Sequence, residues 1–205
     1  MKKITLLLLL LPLFLSGCFS LFSSDAVTIN NVCNLMDEEV RWYQAAKASE
    51  KKYGAPMHVQ LAIVYQESRF ESDAKPPREK LFGVIPWFRP TTAQGFAQAI
   101  DATWKLYKVK TGNTDADRED FEDAIDFVGW YMSRSRQRSN ISMTDAYNQY
   151  LAYHEGHGGF NRKTYNAKPW LKKIAKKVAN NAKRYQQQLK QCRAALDKNS
   201  VWSFF

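Results

Sequence analysis

Residues 55–70 read Ala-Pro-Met-His-Val-Gln-Leu-Ala-Ile-Val-Tyr-Gln-Glu-Ser-Arg-Phe, and this stretch decides the interpretation of the whole chain. Pro56 suits the first turn of a helix, because its missing N–H needs no partner there. Ile63 and Val64 lie on the apolar face of the helix that follows. Glu67 comes three and four positions after them, so its carboxyl group lies on the same apolar face.

A carboxyl group in that position is either a buried structural acid paired with an arginine or an acid used in chemistry. Glu67 also lies near the end of its helix, because Pro76 and Pro77 follow soon after. Burial and a helix C-terminus both disfavour the anion, so both should raise the pKa of Glu67. A carboxyl group that keeps its proton near neutral pH can protonate a leaving oxygen atom.

Helical patterns continue on both sides of this segment, and no stretch predicts a strand of convincing length. The fold class we expect is all-α, as a single domain over residues 37–198. Gly54 should cap the helix that precedes Glu67, and Ser142 should begin a capping box with Asp145. Residues 75–90 contain four prolines and predict a long loop. The remaining helices are predicted over 37–54, 93–108, 118–138, 142–154 and a long closing segment.

The closing helix is predicted from one apolar stripe with spacings of three and four residues, while its other face is rich in Lys and Arg. We interpret that basic face as a solvated surface, with contact to the cell wall or a membrane as the alternative. The stripe consists of Leu171, Ile174, Val178, Ala182, Tyr185, Leu189, Cys192 and Leu196.

The first seventeen residues have the pattern of a secretory signal: two lysines, then an apolar run that is too short to span a bilayer. The run ends in Leu15-Ser16-Gly17-Cys18, which resembles the lipobox of bacterial lipoproteins. We therefore expect lipidation at Cys18, a tether over 18–36 and an aromatic tail over 199–205. A plain signal peptide followed by a coincidental cysteine is the alternative.

The formal net charge is +10, and it falls to +8 once Lys2 and Lys3 are removed. A basic surface favours acidic partners. For an exported protein these are wall-peptide carboxylates and anionic lipid headgroups, and nucleic acid is not an expected partner. If Cys18 is acylated, Cys33 and Cys192 remain as an even pair, which indicates a disulfide in an oxidising compartment. Two buried free thiols are the alternative.

Three ordered motifs carry a resemblance: Glu67-Ser68-x-Phe70, Gly95-Phe96-Ala97-Gln98 and Ala152-Tyr153-His154. Together they resemble the soluble-lytic-transglycosylase-like (SLT) domain, a lysozyme-like helical domain that acts on peptidoglycan. The match covers about half of the chain. The second motif departs from the usual Gly-Leu-Met-Gln run, and His154 stands where Asn is common.

The resemblance implies that Glu67 cleaves the MurNAc–GlcNAc bond without water and leaves 1,6-anhydro-MurNAc ends. Glu67 would act first as acid and then as base, without a cofactor or a metal. The resemblance also implies a substrate-binding role for five residues. Gln98 and the backbone at Phe96 and Ala97 would line the sugar cleft, His154 would contact the substrate, and Tyr153 would hydrogen-bond near Glu67 and orient it.

Two other functions stay open: a muramidase that uses water, and a catalytically silent lipoprotein that binds peptidoglycan or holds envelope proteins together. His154-Glu155-x-His157 is similar to a zinc motif, but the position that needs the second histidine is Gly158, so we expect no metal site. Phe19 is not the acidic residue that retains lipoproteins at the inner membrane. We therefore expect the periplasmic face of the outer membrane of a Gram-negative bacterium.

Overall fold

A computed structural model describes residues 31–81, 85–86 and 88–202 of the chain. This part is one mainly helical domain, as the periodicity predicts, and it contains seven α-helices, one more than the six expected. The signal segment 1–17, Cys18 and the last three residues of the expected tail lie outside the described residues. The helices are α1 (Val32–Glu38), α2 (Val40–Tyr53), α3 (Met57–Ser68), α4 (Asp101–Thr111), α5 (Phe121–Ser139), α6 (Ala146–Asn161) and α7 (Pro169–Trp202).

Helix α3 is the central element of the fold. It packs against α5 on one side and α7 on the other. Its buried residues face most directions around the axis, because neighbouring helices cover most of α3, while His58, Tyr65, Gln66 and Glu67 are only partly buried. The predicted helix end at Gly54 before it is confirmed, since Gly54 adopts the left-handed conformation with φ of 68°. Glu67 lies in the last turn of α3, and Arg69 ends the helix in the same conformation with φ of 56°.

Helix α7 closes the domain along the predicted apolar stripe. Most of the stripe is buried, while Ile174 and Cys192 are partly buried against the core. The helix packs on α1, α3 and α6, and it runs on to Trp202, into the segment that we expected to be a separate tail. The predicted disulfide is present: Cys33 of α1 is bonded to Cys192 of α7, with 6.0 Å between the Cα atoms.

The chain is helical earlier than the periodicity predicts. Helix α1 begins at Val32, within the segment that we expected to be a tether up to residue 36. Val32 and Met36 are fully buried against the core, and the side chain of Asn31 caps the helix by accepting a hydrogen bond from the Cys33 N–H. The buried side of this short helix comprises these two residues, too few to produce a visible period.

Three local predictions were wrong. A helix does not begin near Ala93, because residues 94–100 form turns with an isolated bridge between Gln94 and Ala99, and α4 begins only at Asp101. Residues 75–90 are not all loop, since β1 (Lys80–Leu81) pairs antiparallel with β2 (Ile85–Pro86). Asp145, rather than Ser142, caps α6 by accepting a hydrogen bond from the Asn148 N–H.

Two helix boundaries also differ from the predictions. Helix α5 begins at Phe121, after Asp120 caps the N–H groups of Glu122 and Asp123. Helix α6 continues to Asn161 through a kink at Gly156, where φ is 69° and ψ is 158°. Within the described part of the chain, no helix is long and apolar enough to cross a membrane.

Candidate active site

The Glu67 side chain is half-buried and lines a cleft. Burial raises the pKa of Glu67 to about 7, and a hydrogen bond with the Tyr150 side chain opposes that rise. None of the ion pairs among the described residues involves Glu67. Because none of these ion pairs gives Glu67 a positive partner, and the Tyr150 hydrogen bond only partly offsets burial, the carboxyl group is divided between its two protonation states near neutral pH.

Tyr150 is the residue whose side chain interacts with the Glu67 carboxyl group. Its side chain is almost fully buried in α6, and both burial and the neighbouring carboxyl group raise the pKa of Tyr150. The phenol therefore stays protonated and can donate to Glu67 at any physiological pH. The motifs pointed to Tyr153, one turn further along α6, and not to Tyr150.

Tyr153 makes a different hydrogen bond from the one we expected. Its hydroxyl donates to the carbonyl oxygen of Ala97 at 2.6 Å. The charge of Glu67 contributes to a raised pKa of Tyr153, so the two side chains are close, but the phenol is committed to the backbone. Tyr153 thereby fixes the 95–98 segment against α6.

The cleft has a volume of about 480 Å³. That size is within the range of about 300–1,000 Å³ that is usual for small-molecule sites. Three of the expected substrate-binding residues line it together with Glu67, namely Gln98, Tyr153 and His154. The rest of the lining comes from Pro76, Thr91, Ala93, Ala99, Ile100, Thr103, Phe127, Tyr131, Glu155 and Gly156.

Phe96 and Ala97 lie behind the cleft wall, and neither lines the cleft. Both side chains are buried. The Phe96 ring packs edge-on against Phe121 and Trp42, with ring centroids 5.4 and 5.3 Å away. Gln98 reaches the cleft from an unusual backbone conformation with φ of 47°. Its side-chain nitrogen donates to the carbonyl oxygens of Ala74 and Gly95, which leaves its carbonyl oxygen available to a ligand.

Glu155 is a second carboxylate in the cleft lining, and the motifs did not reveal it. Burial alone would raise its pKa, but hydrogen bonds from Lys168, Thr164 and His154 lower the pKa of Glu155 to about 2. The Lys168 ammonium lies 2.7 Å from one carboxylate oxygen. Glu155 is therefore a fixed anion with its lone pairs in use, unlike Glu67. Glu71 and Asp73, the other acids near the end of α3, are exposed and do not line the cleft.

No group of His, Cys, Asp and Glu in the described ranges has an arrangement that could hold a metal ion. His154 and His157 point to different partners. His154 lies 3.1 Å from Glu155, whereas the His157 ring stacks on Tyr131 and contacts the Ser135 hydroxyl. Burial and the neighbouring Arg138 and Arg134 lower the pKa of His157 to about 4, so this ring stays neutral.

A carboxyl group of raised pKa that lines a cleft in a helical domain is compatible with general-acid chemistry. Comparison with known families makes this more specific. Residues 6–192 match the family model described as Transglycosylase SLT domain, and the chain belongs to that family. Its members are typically peptidoglycan lytic transglycosylases, and membership implies binding of peptidoglycan. Neither curated proteins nor solved structures gave a match.

Proposed function

We propose that this protein is a lytic transglycosylase that cleaves the MurNAc–GlcNAc bond of peptidoglycan, with Glu67 as its catalytic acid and base. The observation that carries the proposal is the unpaired carboxyl group in the cleft, whose pKa of about 7 allows it to give up and retake a proton. A general acid works best when its pKa lies near the working pH.

The reaction needs one proton donor and no water. Glu67 donates its proton to the glycosidic oxygen, and the bond from that oxygen to the anomeric carbon of MurNAc breaks. The carboxylate then accepts the proton of the C6 hydroxyl, whose oxygen forms a bond to the same anomeric carbon. The products are a 1,6-anhydro-MurNAc end and a free hydroxyl on the leaving sugar. Because the nucleophile belongs to the substrate, its effective concentration is high.

The second carboxylate of the cleft supports this route over hydrolysis. Most glycosidases that use water need two working carboxyl groups at a set separation. Among the described residues that line the cleft, Glu155 is the other carboxylate, and its hydrogen bonds to Lys168, Thr164 and His154 hold it as a fixed anion. Such a group is poorly suited to activating water, because taking up a proton would break those interactions.

Substrate contacts follow from the residues around Glu67. We assign the sugar-facing polar contacts to the Gln98 carbonyl oxygen and to His154, both of which line the cleft. Tyr153 stabilises the cleft wall through its hydrogen bond to the Ala97 carbonyl oxygen. Phe96 and Ala97 support that wall from behind. Tyr150 takes the orienting role at the Glu67 carboxyl group.

We also propose that the protein is attached by an acylated Cys18 to the periplasmic face of the outer membrane. The Cys33–Cys192 disulfide supports export to an oxidising compartment and leaves Cys18 as the remaining cysteine of the chain. The Cys18→Ser protein should be released from the membrane fraction or remain unprocessed. Unchanged membrane attachment of that variant would contradict lipidation.

Digestion of purified sacculi tests the proposed reaction. The wild-type protein should release muropeptides with anhydro ends, measured by mass spectrometry, and Glu67→Gln should reduce the rate by about 10⁴-fold, the upper end of general acid–base effects. Glu71→Gln is the matched control, since this exposed carboxyl group lies four residues further on, and it should digest normally. Reducing ends would indicate a muramidase, and no cleavage by any folded sample would indicate a silent binder.

A further inference from the structure

The kink at Gly156 and the start of α7 bring three side chains together at one end of the cleft. His154 and Glu155 lie just before the kink and line the cleft, and Trp170 is the second residue of α7. The rings of His154 and Trp170 contact each other edge to face, with centroids 5.2 Å apart and planes at 77°. Trp170 therefore contacts the cleft lining through His154, although it does not itself line the cleft.

Trp170 is far more exposed to solvent than the tryptophans that belong to the core. It is 51% exposed, whereas Trp104 and Trp130 are 6% and 7% exposed and belong to the core. An indole ring that stays in water beside a ligand cleft has an apolar face available for contact. The ring is held in place by its position at the beginning of a long helix and by its contact with His154.

Glu155 fixes the orientation of the histidine ring. The Glu155 side chain is only 3% exposed, and it receives hydrogen bonds from Lys168 and Thr164 as well as from His154. His154 Nδ1 lies 3.1 Å from a carboxylate oxygen, and a carboxylate can only accept. Nδ1 therefore carries a hydrogen and donates it to Glu155, and Nε2 makes no hydrogen bond among the described residues.

A glycan strand is a polymer, so it must leave the cleft across a rim. We infer that His154 and Trp170 form an additional sugar subsite next to the Glu67 cleft. The Trp170 ring packs on the apolar face of an N-acetylated sugar, and His154 Nε2 forms a hydrogen bond with a sugar hydroxyl or acetamido group. Glu155 is a positioning residue that acts through His154. This inference rests on the proposed function, because it assumes that a glycan occupies the cleft.

Binding can be measured without cleavage by using the Glu67→Gln protein as the parent. The probe is a peptide-free tetrasaccharide of alternating GlcNAc and MurNAc, titrated calorimetrically. Adding Trp170→Ala should raise the dissociation constant by about tenfold, as expected for the loss of an aromatic anchor. Trp170→Phe should retain most of the affinity, because it keeps an aromatic face. Val109→Ala, on the exposed surface of α4, is the control and should have no effect.

The possible outcomes distinguish a failure of the subsite from a failure of the proposed reaction. Unchanged affinity in Trp170→Ala overturns the subsite. A loss of affinity also overturns it if Trp170→Phe shows the same loss and the unfolding temperature of the variants falls, because the side chain then acts on the fold. Glu155→Gln should also weaken binding, because it frees the His154 ring. If the parent binds the tetrasaccharide through Trp170 while the wild-type protein leaves sacculi intact, the proposed reaction fails and the subsite stands. A parent that binds no tetrasaccharide overturns both.

Discussion

At the scale of single residues, the protonation of Glu67 is set by two opposing influences. Burial raises its pKa, and the hydrogen bond from Tyr150 lowers it. Tyr150→Phe removes the hydrogen bond and keeps the ring, so the pKa of Glu67 should rise further. Activity falls on the alkaline side as Glu67 loses its proton, and this decline should move to higher pH in the variant. The measurement is the rate of sacculus digestion against pH.

Tyr153→Phe is the matched control for that experiment. It removes a hydroxyl from the same helix, but that hydroxyl donates to the Ala97 carbonyl oxygen rather than to the carboxyl group. The alkaline decline should therefore stay where it is, although the fold loses about 1 kcal/mol of stability with the hydrogen bond. Equal movement of the decline in both variants would contradict the assignment of Tyr150.

Glu67 should also make the fold less stable as pH rises. The folded state holds its proton up to about pH 7, whereas the unfolded chain releases it near the ordinary pKa of 4.5. The stability that this group contributes is therefore fully present below pH 4.5, and it is lost as pH rises to about 7. Glu67→Gln does not ionise, so above pH 7 it should be more stable than the wild type by at most about 3 kcal/mol.

Urea unfolding at pH 4 and pH 8 measures this effect. The difference in stability between Glu67→Gln and the wild type should be larger at pH 8. Glu71→Gln, an exposed neighbour, should show no such difference between the two pH values. A Glu67→Gln protein that follows the wild type at both pH values would mean that the carboxyl group is not kept neutral by burial.

The sequence predicted Glu67 on the apolar face of its helix from the spacing of its neighbours, and the resemblance to the SLT domain made it the candidate catalytic acid. It did not reveal the roles of Tyr150 and Glu155, which depend on partners from distant parts of the chain. Tyr150 reaches Glu67 from α6, and Glu155 binds Lys168 beyond a kink. A usable signal existed for Tyr150, since it lies three positions before Tyr153 and thus shares a face of α6 with it.

At the scale of elements, the segment before α4 shows why one helix prediction failed. Residues 93–100 contain enough apolar residues to resemble a helix, but Gly95 and Gln98 have φ values of 74° and 47°. Two backbone groups of this segment bond to distant partners: the Gly95 N–H donates to the Ala74 carbonyl oxygen, and the Phe96 N–H donates to the Arg118 carbonyl oxygen. Periodicity detects contacts within an element, whereas these hydrogen bonds exist only after three segments have come together.

Gly95 should be intolerant of any side chain. A Cβ atom at this position would lie 1.9 Å from the Arg118 carbonyl oxygen, and the positive φ adds strain. That oxygen also accepts the Phe96 N–H, so it cannot move away without losing a hydrogen bond. Gly95→Ala should lower the free energy of unfolding by about 2–5 kcal/mol and displace Gln98 from the cleft.

Gly54→Ala provides the comparison for Gly95→Ala. Gly54 has a similar φ of 68°, but a Cβ atom there would meet nothing within 4 Å. Its cost should be the conformational strain alone, about 1–2 kcal/mol, without loss of activity. Urea unfolding measures the loss of stability in both variants. Equal losses in the two variants would show that the close approach to Arg118 has no effect.

At the scale of the whole molecule, the disulfide joins residues 159 positions apart. Closing so long a loop reduces the conformational freedom of the unfolded chain. The Cys33→Ser/Cys192→Ser double variant should lose up to about 5 kcal/mol of stability, with exchange of α1 amide hydrogens increasing most. Thermal unfolding with and without a thiol reductant measures this. The reductant should destabilise the wild type and leave the double variant unchanged, and an insensitive wild type would contradict the bond.

The same disulfide determines how the domain responds to mechanical load. Cys33 lies near the start of the described chain, and α1 alone is a seven-residue helix that would peel away under tension. With the bond in place, a pull on the chain before Cys33 passes directly through sulfur to α7. The cleft, α3 and α6 all belong to the closed loop between the two cysteines, so they lie outside the path of the force. A load applied between the chain before Cys33 and the chain after Cys192 would therefore pass through the bond and leave the cleft unstretched.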